Sequence, residues 1–279
     1  PLTVFLTPDG TPFFGGTYFP PTDRGERVGL QRLLPRLSAA YRNHREELQA
    51  AARALAERAE HAEPHEAPGP AVDDTIAARI TEGLLHRFNP AQGGFEKSGP
   101  KFPHPAAIEL ALRQWDATGD VRWRVMAERT LLAMGLGGIY DQLGGGFHRY
   151  AVDAEWRVPH FEKMAYDNAL LLENYAWAYR ALGVEFFRVI AEGTLEFLLR
   201  EMSDVERGGF YAAQDADVGL DDDGSYWTWS LEECIGALTA EEAAVLLPYY
   251  GVQRRGEMPE TGRNVLRIAE RAEQIAARL

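Results

Sequence analysis

Cysteine is nearly absent from this chain. Its 279 residues hold one, Cys234 in "SLEECIGAL", and a single thiol can close neither an internal disulfide nor a CxxC redox pair. A reducing cytoplasm is the expected setting, with Cys234 a small packing residue on a helix. Long apolar runs are missing as well. No stretch approaches the ~20 residues that cross a bilayer, and no secretory pattern opens the chain. Basic residues are outnumbered, 29 Lys and Arg against 42 Asp and Glu, for a formal charge of −13. Nucleic acid and anionic membrane reward clustered cations, so both are set aside as partners, while a small neutral ligand is not. The oligomeric state is left open. Cofactor signatures are absent too: neither GxGxxG nor GxxxxGK[ST] follows a strand, and no HExxH or CxxC spacing offers a metal site. A calcium loop counted from Asp215 puts Leu220 and Tyr226 where glycine and glutamate are required. No metal and no cofactor are expected.

What remains is an ordinary globular composition, 46% apolar and 25% charged, enough for one large domain or one domain and a smaller piece. Residues 1–21, "PLTVFLTPDGTPFFGGTYFPP", alternate apolar positions on either side of Pro8-Asp9-Gly10, which predicts a β-hairpin. Helical spacing then runs over 29–60 through Leu30, Leu33, Leu34, Leu37, Tyr41, Leu48, Ala52 and Leu55. A hairpin and one helix cannot bury a core alone. Residues 61–72, with three prolines and no apolar period, read as a linker. Beyond it the spacing predicts helices at 73–88, 104–118, 120–135, 159–182 and 185–202, with shorter ones at 230–247 and 263–278.

A repeat organises the helical part. Gly-Gly-Phe recurs at 93–95, 145–147 and 208–210, the second glycines lying 52 and 63 residues apart. The alternate junctions are short, "WDATGDVRW" and "YRALGVEFF", with Gly119 and Gly183 placed 64 residues apart. The repeating unit is a helical hairpin. In an up-down array alternate junctions share one end, so all three long loops are expected on one rim.

Four stretches carry a resemblance: "PLTVFLTPDGTPFFGGTYFPP", "GGFEKSGPKFPHP", "GGIYDQLGGGFHRYAVDAEWRVPHFEKMAYDNALL" and "GGFYAAQDAD" with "GSYWTWS". Together they resemble the YyaL family, the spermatogenesis-associated thioredoxin-domain proteins. The resemblance implies a mainly α fold: a partial α/α toroid of the six-hairpin glycosidase type, preceded by the C-terminal β-hairpin and helix of a thioredoxin-like fold. Residues 1–60 would belong to the thioredoxin-like part, 61–72 to a linker, and 73–279 to an incomplete toroid. Pro1 falls where a thioredoxin fold places its cis-proline. The family's Cys-rich motif would lie upstream, and the closing hairpins downstream. No reaction comes with the resemblance.

The second long loop holds most of the chemistry. Asp141, His148, His160 and Glu162 lie on or beside it, and Asp215 and Asp217 follow the third Gly-Gly-Phe. These six are the candidate catalytic groups. Glu162 and Asp215 are favoured as a carboxylate pair, since glycoside hydrolysis needs one protonated and one ionised carboxyl. Epimerisation beside a carbonyl needs a base such as histidine instead. Lys101, Arg149, Tyr150, Trp156, Gln214 and Trp227 are candidate substrate contacts. Pro159 is expected to open a helix, putting His160, Lys163 and Asp167 on one face. The run Asp221-Asp222-Asp223 reads as a solvated loop tip. The competing account is that these polar groups cap helices and knit loops together. The expected function is a carbohydrate-active toroid, glycosidase-like or N-acylglucosamine 2-epimerase-like. Alternatives are a thioredoxin-like redox or folding-related protein, and a non-catalytic sugar- or partner-binding module.

Overall fold

The computed structural model describes residues 2–25, 27–62, 75–219 and 224–279. The chain divides into two compact units, residues 1–73 and 74–279. Pro1, nearly all of the expected linker and the run 221–223 lie outside the described residues.

The first unit begins with the expected hairpin. Strand β1 (Thr3–Leu6) pairs antiparallel with β2 (Pro12–Gly16), setting Phe5 opposite Phe14. The turn closes through Gly10, whose N–H reaches Thr7 O at 2.9 Å with φ at +87°, a conformation open to glycine. The single helix expected over 29–60 is two: α1 (Leu30–Asn43) and α2 (Arg45–Ala62). His44 breaks the run at φ −132°. Its N–H still reaches Ala40 O, and its carbonyl still accepts from Leu48 N, so the apolar period passes through unmarked. Helix α2 packs on β2, and Tyr41 of α1 meets Phe13 at 5.7 Å between rings.

The second unit is an array of helical hairpins. Helices α3 (Thr75–Arg87), α4 (Pro105–Thr118), α5 (Val121–Leu136), α6 (Ala165–Leu182) and α7 (Glu185–Phe197) follow in order, and a π turn at Leu198–Met202 extends α7. Two tight turns close α4 on α5 and α6 on α7. Gly119 and Gly183 make them at φ +67° and +68°, each N–H reaching back to Trp115 or Tyr179. Helix α5 touches α3 and α7, while α4 packs on α6. Alternate helices therefore share a layer, and α4 with α6 form the tighter one. That is an open arc of an α/α toroid. Its core holds Ile108, Leu112, Met126, Leu131, Leu171, Tyr175 and Phe187.

The structure corrects three further expectations. The helix expected from Pro159 starts only at Ala165, because residues 159–164 are drawn into strands β4 (Pro159–His160) and β5 (Lys163–Met164). These pair with β3 (Tyr150–Ala151) and β6 (Ala213–Gln214). His160 and Lys163 thus share no helix face with Asp167. The segment 230–247 is two helices, α8 (Leu231–Ala237) and α9 (Ala240–Tyr249), each opened by a capping box, Ser230–Glu233 and Thr239–Glu242. Only Ala272–Ala276 (α10) is helical in the last segment. Asn264 holds the preceding chain extended by bonding backbone groups of Gln253 and Trp229.

Candidate functional site

All three long loops are one motif. Four residues before each glycine pair stands an Asx residue: Asn89, Asp141 and Asp204. Its side-chain oxygen accepts from N–H groups inside the loop: Ala91 and Gln92, Leu143 and Gly144, and Arg207. Its own N–H reaches the carbonyl of the second glycine at 2.8, 3.0 and 3.0 Å. All six glycines sit at positive φ, between +67° and +97°. Asp141, proposed as catalytic, thus has a local role that an asparagine fills in the first loop.

Neighbouring loops are braced by a buried lysine under a tryptophan. Lys101 of the first loop exchanges backbone bonds with Ala151, five residues past Gly146. Lys163 of the second loop pairs with Gln214, five residues past Gly209. The ammonium of Lys101 lies 4.9 Å from the centre of the Trp156 ring, and that of Lys163 lies 4.5 Å from Trp227. Cation–ring attraction strengthens as water is excluded. These contacts bring the three loops together along one rim. Lys101 and Trp156, expected to touch a ligand, are closed off from solvent. Lys101 donates to Ala154 O at 2.9 Å, and burial pushes its pKa down. Trp156 donates to Gln92 O from a backbone at φ +64°, costly outside glycine and held by this packing.

A second buried group lies under the middle loop. Lys163 donates to Asp141 Oδ2 at 2.7 Å and to Gly145 O at 2.8 Å. Burial pushes Lys163 down against the pull of Asp141. Burial alone would raise Asp141, but Lys163 and the Gly144 N–H hold its carboxyl below the ordinary range. His148 is fully enclosed and pushed down to about 3, chiefly by burial and then by Lys163. That burial keeps the ring neutral, and its Nδ1–H donates to Phe161 O at 2.8 Å. His148 and Asp141 therefore form part of the loop scaffold around Lys163, a residue the sequence placed on a helix face.

The groups that reach solvent lie on the outer side of the same loop. Arg149 bonds Glu162 at 2.9 Å, and His160 Nε2 lies 3.6 Å from the same Glu162 oxygen. Arg149 also lies beside Tyr166. Asp167, in the first turn of α6, is raised to about 6 by burial, with Arg149 lowering it and Glu162 raising it. Helix N-termini favour the ionised form, so burial and the Glu162 charge override the helix here. Tyr150 stacks on Phe102 at 4.8 Å and meets His160 at 5.1 Å. A histidine–carboxylate contact the sequence had not singled out, His104 with Glu96, lies on the same face, with His104 6.4 Å from Phe102. His104 sits at φ +48° between two prolines, and that neighbourhood was its one sequence signal.

The third loop meets this face. The β5–β6 register, carried one residue further, sets Asp215 opposite Glu162. Asp215 is exposed and accepts from the Asp217 N–H. A hollow of about 290 Å³ brings Asp217 and Glu260 beside His160. Gln214 and Trp227 face inward instead, into a separate cleft with Asp141 and Lys163. Among the described residues no group of three or more His, Cys, Asp or Glu is placed to hold a metal, and no helix is long and apolar enough to cross a membrane.

Residues 1–60 match a thioredoxin-related family described as a protein of unknown function, DUF255. Spermatogenesis-associated protein 20 of Homo sapiens is 35% identical over 310 aligned residues, covering 100% of this chain and 39% of that protein. The chain belongs to this family. It spans about two-fifths of the length of the spermatogenesis-associated relatives it matches. A shorter match joins the family member to the cellobiose 2-epimerase of Bacteroides fragilis, 37% identical over 71 residues, 25% of this chain and 18% of that enzyme. Among solved structures, a sugar epimerase from a ruminal bacterium aligns over 55% of this chain and 45% of its own, at 16% identity and a TM-score of 0.44.

Proposed function

We propose that this family member is a cytoplasmic carbohydrate-active protein whose rim cluster transfers a proton beside a sugar carbonyl, as in aldose epimerisation. The observation that carries the reading is a pair of neighbouring carboxyls in unlike surroundings. Glu162 is ion-paired to Arg149, while Asp167 keeps its proton to about pH 6. A carboxyl raised by burial beside one held in an ion pair can supply an acid and an electrostatic partner from one site. In this scheme His160, polarised by Glu162, removes the proton from the carbon next to the carbonyl. The electron pair moves onto the carbonyl oxygen, where Arg149 balances the charge and Asp167 donates a proton. When the intermediate turns to present its other face, the protonated His160 returns the proton to the carbon there, and the new hydroxyl gives its proton back to Asp167, so the carbonyl is restored and the carbon inverted. Tyr150 and Tyr166 line the approach. Support also comes from the local match to a cellobiose 2-epimerase. Asp215, opposite Glu162, is the alternative partner if the reaction is hydrolysis. The redox reading finds no dithiol in this chain, whose one cysteine is buried with its thiol pushed up.

A screen of reducing mono- and disaccharides for epimerised products, beside aryl glycosides for hydrolysis, tests the reading. Epimerised product lost in Glu162→Gln and in His160→Ala is the expected result. Turnover untouched by both substitutions contradicts it.

A further inference from the structure

The inner side of the second brace holds a cleft of about 440 Å³. It lies between the middle loop, the end of α7, Gln214 and residues 226–229. Side chains alternate along a strand, so Lys163 faces this cleft and Glu162 the opposite side of the ladder. The cleft is thus separate from the rim cluster, and a ligand seated in it needs no chemistry at that cluster.

The repeat makes the cleft unusual. At the first brace the corresponding space is filled. The Trp156 ring covers Lys101, lies against the position of Gly94, and is fully buried. At the second brace Trp227 covers Lys163 but stays only half-buried, and the space beside it is open. The residue opposite the lysine also differs. In the first brace it is Ala151. In the second it is Gln214, whose Oε1 is buried without a partner among the described residues. An alanine satisfies the brace, so the amide is not required by the fold. A buried oxygen without a donor costs stability unless something supplies one.

The lining indicates what that is. Its charges cancel in close pairs, Asp141 with Lys163 and Arg200 with Glu201, each at 2.7 Å. Among the described lining residues no charge is left over for an anion or a cation. Three aromatic rings, Tyr226, Trp227 and Trp229, offer C–H stacking faces, and Gln214, Asp141 and Glu201 offer acceptors for hydroxyls. The volume lies within the ~300–1,000 Å³ typical of ligand pockets. We infer that this cleft is a binding site for a neutral sugar of one or two rings, seated against the tryptophans and donating a hydroxyl to Gln214.

Saturation-transfer NMR on the whole chain tests the inference, with methyl β-D-glucopyranoside and cellobiose as probes. Tyr226→Ala and Gln214→Leu are the variants. Tyr226 is exposed, and Gln214→Leu removes an unpartnered oxygen, so neither is expected to lower the thermal midpoint. The wild type should bind at least one probe, and both variants should bind it roughly tenfold more weakly. Glu162→Gln should bind as the wild type does, whatever its effect on turnover. No binding of either probe to the wild type would overturn the inference. So would wild-type affinity in Tyr226→Ala and Gln214→Leu, which would place the sugar elsewhere.

Discussion

At the scale of single residues, burial decides which candidates can meet a ligand. His148 and Asp167 are both shifted by burial, in directions that oppose each other in their effect on stability. His148 is held neutral, with its pKa at about 3, against ~6.5 in an unfolded chain. Its contribution is complete above the unfolded value and is lost as pH falls from there toward 3. Asp167 is raised to about 6, from ~3.9 unfolded. Its contribution is complete below the unfolded value and is lost as pH rises through 6. Urea unfolding between pH 7 and 4 should therefore show His148→Gln losing less stability on acidification than the wild type. An identical pH profile in that variant would mean the imidazole is not held neutral. Lys163→Met should cost about 3–5 kcal/mol, since it leaves the Asp141 carboxylate buried without its ammonium. Calorimetric melting of the variant measures that cost.

At the scale of elements, the glycine pairs separate conformation from packing. A Cβ on Gly145 would stand 2.4 Å from Gly193 O, and one on Gly93 would stand 2.9 Å from Arg129 O, whereas at Gly208 it meets nothing within 4 Å. Gly208→Ala should cost about 1–2 kcal/mol, the strain of a left-handed alanine. Gly145→Ala should cost clearly more, because a carbonyl must also move. Equal denaturation midpoints for the two variants would contradict the repeat. The loops were legible in the sequence because Gly-Gly-Phe recurs between helical periods. The Asx residues that close them were not, since an aspartate reads equally well as an acid catalyst or a turn. The start of α6 is hidden for a related reason. Pro159 suits the first turn of a helix, but a strand end tolerates it too, and pairing with Tyr150–Ala151 decides between them. Pairs made across long stretches of chain leave no local period.

At the scale of the whole molecule, the three loops are packed unequally. Phe95 and Phe147 are 6% and 0% exposed in the first two loops, while Phe210 is 62% exposed in the third. Phe147→Ala should cost about 3–5 kcal/mol. Phe210→Ala should stay within about 0.5 kcal/mol, as surface changes do. Comparative melting settles both, and a large loss at Phe210 would show that its side chain packs in solution. The family and the helical array were readable from motif and spacing across the chain. The division of the site was not. Asp141, His148, Gln214 and Trp227 turn inward around Lys163, while His160, Glu162, Arg149 and Tyr150 turn outward. Adjacent residues on a two-residue strand face opposite ways, and strands this short carry no alternating run from which their facing could be read.

The central claim is that the outward cluster moves a proton beside a sugar carbonyl. Solvent exchange measures that step without requiring the net reaction. Reducing sugars incubated with the protein in deuterated water, followed by proton NMR, should lose the signal of the hydrogen beside the carbonyl. Glu162→Gln and Asp167→Asn should slow the loss by about 10²-fold or more. A wild type that exchanges no faster than buffer, across sugars that bind it, would contradict the account.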